Sequence, residues 1–271
     1  MKIFSWNVNG IRAVFRNGFR NWLKKTDPDI VCLQEIKADS SELSEEYKEI
    51  DGYWVYFNSA EKKGYSGTAV YTKFKPQSVE MEIDMKQFDK EGRCLKLNFK
   101  DFTLFNFYIP HSGRAKENLD YKLSVYKKLL GILEPFAKKQ TLLAGDFNIA
   151  HTEQDLYFPK QNTNNVMFTP EERRQIESLI NLGYTDTFRH KYPDKKSYTW
   201  WPYRNNLRER DIGWRIDYIF VSKPLLPSVK DAFTRKEIRG SDHCPYGISL
   251  NKKLTGEKGS VYKKRLAQAL F

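Results

Sequence analysis

The sequence predicts a single α/β domain in which strands and amphipathic helices alternate along the chain. Apolar runs typical of strands recur at 2–6, 29–33, 53–57, 67–72, 94–99, 102–109, 140–145, 216–221 and 245–250. No internal repeat, low-complexity segment or linker divides the chain, and its polar motifs are spread from residue 5 to residue 243. We therefore expect one domain over 1–251, followed by a basic C-terminal tail or short helix over 252–271.

Two helices have clear sequence signals. The apolar positions of the first, within 116–138, recur at helical spacing: Leu119, Leu123, Tyr126, Leu130 and Leu133. The second is expected to begin at Pro170, because Thr169 is a suitable N-cap and Glu172 follows three residues later, as in a capping box.

Composition limits the class of protein. Hydrophobic residues make up 40% of the 271 residues, which indicates a globular chain with a sizeable core. No apolar stretch approaches the roughly eighteen residues that a membrane helix needs, and no signal-peptide pattern is present at the N-terminus. Cys32, Cys94 and Cys244 lack paired spacing and are expected to be reduced. We expect a cytoplasmic monomer, nucleoid-associated in a prokaryote.

The net charge of +12 favours a polyanionic partner, although a merely soluble basic surface is the alternative. Between residues 198 and 214, aromatic residues are interleaved with arginines such as Arg208 and Arg210. This pattern suits a surface that meets bases and phosphates, while an ordinary aromatic core is the competing interpretation.

Five short polar motifs adjoin apolar runs. They are SWNVNG (5–10), LQEIK (33–37), GDFN (145–148), RIDY (215–218) and GSDH (240–243). A side chain at the end of a buried strand is held rigidly and can point into a cleft. The motifs would thus gather four acids, two or three amides and one histidine, a set suited to a divalent cation and a histidine acting on a phosphate ester.

The acids and amides have individual assignments. Glu35 directly follows an apolar run, where a charge is costly unless it is paired or bound to metal. Glu35, Asp242 and the amide oxygen of Asn9 would suit a hard cation such as Mg²⁺. The alternative is that each is an ordinary polar residue at the end of a loop. The four histidines show no zinc-type spacing.

His243 and Asp146 are the candidates for proton transfer. An imidazole can hydrogen-bond a phosphate oxygen or pass a proton if an acid orients it, and Asp217 is the natural orienting acid. Asp146 and Asn148 alternate beyond a strand, so both can face one side. There Asp146 could accept a proton from an attacking water and Asn148 could donate to a phosphate oxygen. A turn with Asx hydrogen bonding is the alternative for this segment.

These motifs, with GYSG (64–67) and the longer forms GDFNIAH (145–151), GWRIDY (213–218) and GSDHCP (240–245), resemble the exonuclease III family of apurinic/apyrimidinic endonucleases. That family lies within the endonuclease/exonuclease/phosphatase superfamily. The resemblance extends from Lys2 to about Leu250. It implies a deoxyribonuclease I-like fold, a four-layered α/β sandwich of two packed mixed β-sheets flanked by helices, with the active site at one end of the sheets.

The resemblance also implies residue roles. Glu35 would be the main carboxylate for Mg²⁺, for which Mn²⁺ can substitute, and the implied neighbours of the ion are Asn7, Asn9, Asp146, Asn148 and Asp242. Asp146 would activate the water, and Asn148 and Asn7 would hold the phosphate. Tyr108 would lie beside the phosphate, and His243, oriented by Asp217, would stabilise the transition state.

The resemblance implies a DNA interface as well. Trp200, Trp214 and Ile216 match residues that line a pocket for a flipped-out abasic sugar. The positions that match or neighbour contacts to the DNA backbone or across the groove are Arg12, Tyr65, Arg114, Asn162, Asn165, Tyr203 and Arg204. Two departures are expected to matter. Asn9, where some members have Asp, should alter metal affinity. His111, where many have Asn, is expected to contact DNA by donating to a phosphate, and its protonation should add a pH dependence.

The expected function is therefore metal-dependent hydrolysis of double-stranded DNA 5′ to abasic sites, leaving a 3′-hydroxyl and a 5′-deoxyribose phosphate. The same site would support 3′-5′ exonuclease and 3′ end-cleaning activity. Three alternatives stay open: a related nuclease that is non-specific or nicks beside uracil or damaged bases, a phosphoinositide phosphatase, and a DNA-binding relative without catalysis.

Overall fold

The computed structural model describes residues 1–259 as two β-sheets with helices on their outer faces. The strands are β1 (Lys2–Asn7), β2 (Ile30–Gln34), β3 (Trp54–Asn58), β4 (Thr68–Thr72), β5 (Ser78–Glu80), β6 (Cys94–Asn98), β7 (Thr103–Tyr108), β8 (Thr141–Asp146), β9 (Tyr184–Asp186), β10 (Asp217–Ser222), β11 (Val229–Thr234) and β12 (Tyr246–Leu250). The α-helices are α1 (Ile11–Arg16), α2 (Phe19–Thr26), α3 (Glu45–Lys48), α4 (Lys86–Lys90), α5 (Leu119–Leu133), α6 (Pro170–Asn181) and α7 (Thr187–Lys191).

Each sheet has six strands and mixes parallel with antiparallel pairs. The first sheet has the order β11-β12-β1-β2-β4-β3, and the second has the order β5-β6-β7-β8-β10-β9. The parallel pairs are β1 with β2 and β7 with β8. Side chains such as Ile3, Leu142 and Ile219 are fully buried together in the core between the sheets. Because successive strand residues point to opposite faces, their neighbours along the chain face the helices.

The helices cover the two outer sheet faces. Phe19 and Trp22 of α2 pack on the first sheet, where the Trp22 ring lies 5.3 Å from that of Phe4. Tyr126 of α5 and Ile176 of α6 pack on the second sheet. The order is therefore helix, sheet, sheet, helix, and this confirms the predicted four-layered sandwich.

The nine predicted strands all form, and each observed boundary lies within one residue of its predicted position. The sequence patterns missed β5, β9 and β11, which are all edge strands. Two of these have only three residues, and the third contains a register shift between Val229 and Asp231, so apolar alternation is short or interrupted. An edge strand needs less burial than a central one, and its sequence signal is correspondingly weaker.

Both predicted helices form, but the boundaries of one were predicted more accurately than those of the other. α6 begins at Pro170, and Thr169 and Glu172 make both hydrogen bonds of the capping box, as predicted. α5 is shorter than the predicted 116–138, because Pro135 falls in a 3₁₀ turn that follows Leu133. Proline cannot donate a helical hydrogen bond, which limits the continuation of the helix.

The segment after β12 continues along the domain. Leu254 is buried, and the amide of Gly259 donates to the carbonyl of Lys73 at 2.8 Å. The part of the expected C-terminal tail or helix beyond Gly259 lies outside the described residues. Within residues 1–259, no helix combines the length and apolarity that crossing a membrane requires.

Candidate active site

The strand ends that carry the polar motifs meet at one end of the two sheets. In the second sheet, the register of β8 and β10 places Asp146 directly opposite Asp217. On the other side of β8, the parallel strand β7 makes Tyr108 the partner of Asp146. In the first sheet, β1 and β2 run parallel and end together, at Asn7 and immediately before Glu35.

Asn7 links the two sheets within the site. Its Nδ2 donates to Glu35 Oε2 at 3.0 Å and to Asp146 Oδ2 at 2.9 Å. Its carbonyl accepts a hydrogen bond from Ser241 Oγ at 2.8 Å, two residues before His243. One residue at the end of β1 therefore holds together segments that are far apart in the sequence.

Glu35 occupies an uncommon backbone conformation. Its φ of 56° lies in the left-handed region, which costs a residue other than glycine about 1 kcal/mol or more. Its carbonyl accepts the amide of Gly10 at 2.8 Å, and its Oε1 lies 2.8 Å from Lys37 Nζ. These contacts, with the Asn7 amide, fix both the backbone turn after β2 and the carboxylate.

His243 and Asp217 form a buried pair. His243 Nδ1 lies 2.9 Å from Asp217 Oδ2, and the Asp217 amide donates to Thr199 Oγ1 at 3.2 Å. Burial alone would lower the pKa of the imidazole, but the charges of Asp217 and Asp146 raise it above the ordinary 6.5. The histidine is therefore held as an imidazolium at neutral pH.

Asp146 is a stronger base than an ordinary aspartate. Its burial and the neighbouring charge of Asp217 raise its pKa above 3.8, while His243 and the hydrogen bond from Asn7 oppose the shift. Its Oδ1 accepts a hydrogen bond from the backbone N–H of Asn148 at 2.9 Å. A buried carboxylate with a raised pKa is suited to accepting a proton from water.

Asn148 lies against the same acid. Its φ is 52°, and its Nδ2 donates to the carbonyl of Ile109 at 2.9 Å and lies 3.3 Å from Asp146 Oδ2. Its carbonyl accepts from Lys122 Nζ at 2.6 Å. The amide side chain therefore shares the site with Asp146, while the backbone carbonyl is held from behind.

Arg93 is a site residue that the sequence patterns did not reveal. Its guanidinium lies 4.5 Å from the centre of the Tyr108 ring, and it donates to the Tyr108 carbonyl and the Tyr65 hydroxyl, both at 3.0 Å. Glu91 pairs with its charge. Burial and Glu35 raise the pKa of the Tyr108 phenol well above 10.0, so the phenol stays protonated. The available signal was an arginine next to an apolar strand, where burial requires partners.

Asn9 and Asp242 form a second hydrogen-bonded group. Asn9 Nδ2 donates to Asp242 Oδ1 at 2.9 Å, and Trp200 Nε1 donates to Asp242 Oδ2 at 3.1 Å. Lys37 Nζ donates to Asn9 Oδ1. Burial would raise the pKa of Asp242, but the charge of His243 and these hydrogen bonds lower it. At position 9 an amide therefore donates to Asp242, whereas a second carboxylate would repel it.

Three buried side chains lie in one group that could hold a metal ion when the His243 ring is deprotonated. Asp146, Asp217 and His243 each offer one ligand atom, and these atoms lie within 4.8 Å of one another. Asp217 Oδ1 is buried and has no hydrogen-bond partner in the part of the chain that is described. With Glu35 and Asn7 adjacent, the donor set is rich in oxygen and fits a hard divalent ion. Such a group is suited to metal-dependent hydrolysis of a phosphate ester.

A cavity of about 420 Å³ adjoins this group through Trp200. Six of the predicted DNA-binding residues line it: Arg114, Asn162, Asn165, Trp200, Arg204 and Trp214. Phe158, which sequence reasoning did not select, is also in the lining and is 44% exposed. The cavity therefore combines aromatic walls with amide and cationic side chains.

The other predicted DNA-binding residues lie elsewhere. Ile216, expected on the pocket wall, is only 1% exposed and packs beneath Trp200 and Trp214. Tyr203 is 74% exposed and lines a neighbouring cavity of about 480 Å³. In this structure the side chain of Ile216 fills the apolar cluster under the two tryptophans, and its contact with an abasic sugar stays a prediction.

Three further residues predicted to contact DNA are placed around the site at a distance from that cavity. Arg12 is half-buried in the first turn of α1, just after the Asn9 turn. Tyr65 is 38% exposed and accepts the hydrogen bond from Arg93. His111 is half-buried, and its Nδ1 accepts the amide of Gly113 at 2.9 Å.

Arg208 donates hydrogen bonds to the backbone of the loop before His243. Its guanidinium donates to the carbonyls of Ser241 at 2.7 Å, Ile238 at 2.6 Å and Lys236 at 3.1 Å. The sequence pattern suggested a nucleic-acid contact for this arginine. The structure instead uses it to hold the backbone that carries the catalytic candidates.

Known proteins are similar to this chain in sequence and in fold. Residues 4–243 match the family described as Endonuclease/Exonuclease/phosphatase family. The chain is 44% identical to an exodeoxyribonuclease of Bacillus subtilis (strain 168) over 254 residues, covering 93% of this chain and all of that one. It is 41% identical to a DNA-(apurinic or apyrimidinic site) endonuclease of Dictyostelium discoideum over 253 residues, covering 92% of this chain and 70% of the relative.

A solved structure agrees with both. An AP endonuclease from Archaeoglobus fulgidus superposes with a TM-score of 0.87 at 29% identity, covering 93% of this chain and 100% of that chain. The sequence, the two packed sheets and the polar group at their end all indicate the same family. The chain belongs to the exonuclease III-type AP endonucleases of the endonuclease/exonuclease/phosphatase family.

Proposed function

We propose that this protein hydrolyses double-stranded DNA 5′ to abasic sites, leaving a 3′-hydroxyl and a 5′-deoxyribose phosphate. The observation that carries this proposal is the group of Asp146, Asp217 and His243 beside an aromatic-walled cavity. The names of the relatives, an exodeoxyribonuclease and an AP endonuclease, agree with it. The same site would also degrade and clean 3′ ends, since both reactions hydrolyse a phosphate ester.

The side chains supply four actions. Asp146 accepts a proton from the attacking water, because its raised pKa makes it a competent base. The side-chain amides of Asn7 and Asn148, which both contact Asp146 Oδ2, would also orient the phosphate. The imidazolium of His243 donates to a phosphate oxygen as negative charge develops, and Asp217 fixes the ring and its charge.

The residues that would hold a divalent ion, Mg²⁺ in our proposal, are Glu35 and Asp146, with Asn7, Asn9, Asn148 and Asp242 nearby. When bound, such an ion supplies positive charge that offsets the charge of the phosphate and of the departing 3′-oxygen. Asn7 ties the carboxylates of Glu35 and Asp146 to each other.

The cavity supports selectivity for a nucleotide that lacks its base. Without a base, a nucleotide costs little to unstack and leaves the helix readily. Trp200 and Trp214 present apolar surface to a bare sugar, while Arg114 and Arg204 can meet the flanking phosphates.

Substrate choice tests the proposal. End-labelled duplexes with one abasic analogue, one uracil or no lesion are incubated with Mg²⁺, with and without chelator, beside a soluble inositol phosphate. We expect rapid incision 5′ to the abasic analogue, and none in chelator. Equal cutting of the intact duplex would favour a non-specific nuclease, release of inorganic phosphate from the inositol would favour a lipid phosphatase, and binding without cutting would favour a non-catalytic relative.

His111 provides a prediction about pH. Burial and the charge of Lys122 lower the pKa of His111 below 6.5, so the ring is neutral at neutral pH. With Nδ1 accepting from Gly113, the neutral ring carries its proton on Nε2 and can donate to a phosphate. As pH falls through the lowered pKa, protonation removes the Gly113 hydrogen bond. Protonation of Asp146 gives an acidic limb of its own, so we expect His111→Asn to flatten only the part of the pH–rate profile that is due to His111, below pH 6.5.

The control is His190→Asn, which changes an exposed histidine on α7. That variant should keep the acidic limb of the parent protein. An acidic limb that is the same in His111→Asn as in the parent would contradict the assignment.

A further inference from the structure

A fully buried ion pair lies behind the active site. Lys122 of α5 and Glu172 of α6 are both 0% exposed, and Lys122 Nζ lies 2.8 Å from Glu172 Oε1. Burying two charges carries a large desolvation cost, and a buried pair can often be replaced by apolar side chains without loss of stability. Its presence therefore calls for a role other than stabilising the fold.

The ammonium of Lys122 is directed at the backbone of a catalytic candidate. It donates to the carbonyl of Asn148 at 2.6 Å, in addition to its contact with Glu172. A charged donor makes a stronger hydrogen bond than a neutral one. Because Asn148 has a φ of 52°, relaxation of this residue to an ordinary negative φ would rotate its peptide planes. The Lys122 contact opposes that rotation.

The carboxylate of Glu172 extends the support to a second loop. It accepts a hydrogen bond from Ser112 Oγ, and Ser112 is fully buried and follows His111. Its other oxygen accepts the amide of Thr169 at 3.1 Å, which anchors the carboxylate at the start of α6. One ion pair thus joins two helices to the loop of Asn148 and the loop of His111.

We propose that Lys122 is a positioning residue for phosphodiester hydrolysis. By holding the backbone carbonyl of Asn148, it directs the side-chain amide of Asn148 toward the phosphate. Glu172 pairs with the charge of Lys122 and keeps the ammonium in place. This inference rests on the proposed function, because it assigns Asn148 to the phosphate. Lys122 is too deeply buried to meet DNA, so it acts only through the backbone it contacts.

The test separates positioning from folding. The variants are Lys122→Met, Lys122→Arg and the charge-neutral double variant Lys122→Met/Glu172→Leu, assayed for melting temperature and for kcat and KM on the abasic duplex. Lys122→Met should melt lower, because it leaves Glu172 as an unpaired buried charge. The double variant should melt near the parent, yet its kcat should stay roughly 10- to 100-fold low with KM little changed. Lys122→Arg should recover part of the lost rate.

Coupling to Asn148 gives the decisive comparison. In an Asn148→Ala background, adding Lys122→Met/Glu172→Leu should lower kcat by less than about two-fold, because the group being positioned is already absent. The surface pair Lys96–Glu80, at 3.0 Å, is the matched control, and Lys96→Met/Glu80→Leu should leave kcat unchanged.

The outcomes are distinct. A parent-like kcat in the folded double variant would overturn the inference while the proposed function stands. So would independent effects, in which the kcat decreases caused by the double variant and by Asn148→Ala multiply when the substitutions are combined. A parent protein that does not cut the abasic duplex would refute the proposed function and this inference with it.

Discussion

His243→Asn is expected to lower the single-turnover rate of abasic-site cleavage by about 10³-fold or more while DNA affinity changes little. The imidazolium is buried, paired with Asp217 at 2.9 Å, and charged at neutral pH because the neighbouring acids raise its pKa. Asparagine keeps a hydrogen-bond donor but cannot carry this charge or transfer a proton. The loss should therefore fall on the chemical step rather than on binding.

Two measurements check this expectation. Rapid-quench cleavage gives the rate, and fluorescence anisotropy with a labelled abasic duplex across a salt series gives affinity and its salt dependence. The exposed His190→Asn variant is the matched control and should cleave at the parent rate. A His243→Asn protein that cleaves within ten-fold of the parent would show that another group stabilises the transition state.

Glu35→Gln is expected to raise the Mg²⁺ concentration needed for half-maximal cleavage at least ten-fold and to lower the saturated rate by about 10³-fold. Glutamine keeps the size of the side chain and its contact with Asn7, but removes the negative charge that a cation requires. It also leaves Lys37, which lies 2.8 Å from the carboxylate, without its charge partner. The defect should thus be electrostatic.

Metal titrations of cleavage, followed at fixed ionic strength, measure both effects. Glu61→Gln removes a carboxylate from the exposed Lys90–Glu61 pair and should match the parent at every Mg²⁺ concentration. An unchanged Mg²⁺ dependence in Glu35→Gln would remove Glu35 from the metal site and leave the carboxylates of Asp146 and Asp217 as the remaining candidates.

The central strands could be predicted closely because each is buried on both faces and reads as a continuous apolar run. β8, with Leu142 and Leu143, is such a strand, and its end places Asp146 within the site. Edge strands such as β9 were not predicted, because three residues are too few to show a periodic pattern. The C-terminal end of α5 was overestimated because its apolar spacing continued past Pro135.

In the candidate site, short motifs identified the residues whose side chains meet one another, such as Glu35, Asp146 and His243. They did not identify residues that act on backbone carbonyls. Arg208 holds the loop before His243, although its segment suggested a nucleic-acid contact, and Lys122 holds the Asn148 carbonyl, although it is a single basic residue within α5. Such contacts depend on which loops the fold brings together, and this cannot be read from spacing along the chain.

The position of Ile216 shows a related limit. A resemblance can place a residue next to a pocket, but whether its side chain forms the wall or the support beneath depends on local packing. Here Trp200 and Trp214 flank the cavity, and Ile216 fills the cluster under them with Leu156 and Met167.

The most direct test of the central claim, that this site adds water to a phosphodiester, is cleavage of an abasic duplex in water enriched in ¹⁸O, with the products examined by mass spectrometry. Our account predicts one heavy oxygen in the phosphate of the 5′-deoxyribose phosphate fragment and an unlabelled 3′-hydroxyl on the other fragment. An unlabelled phosphate, or a 3′ end bearing an unsaturated sugar, would contradict hydrolysis by Asp146 and His243.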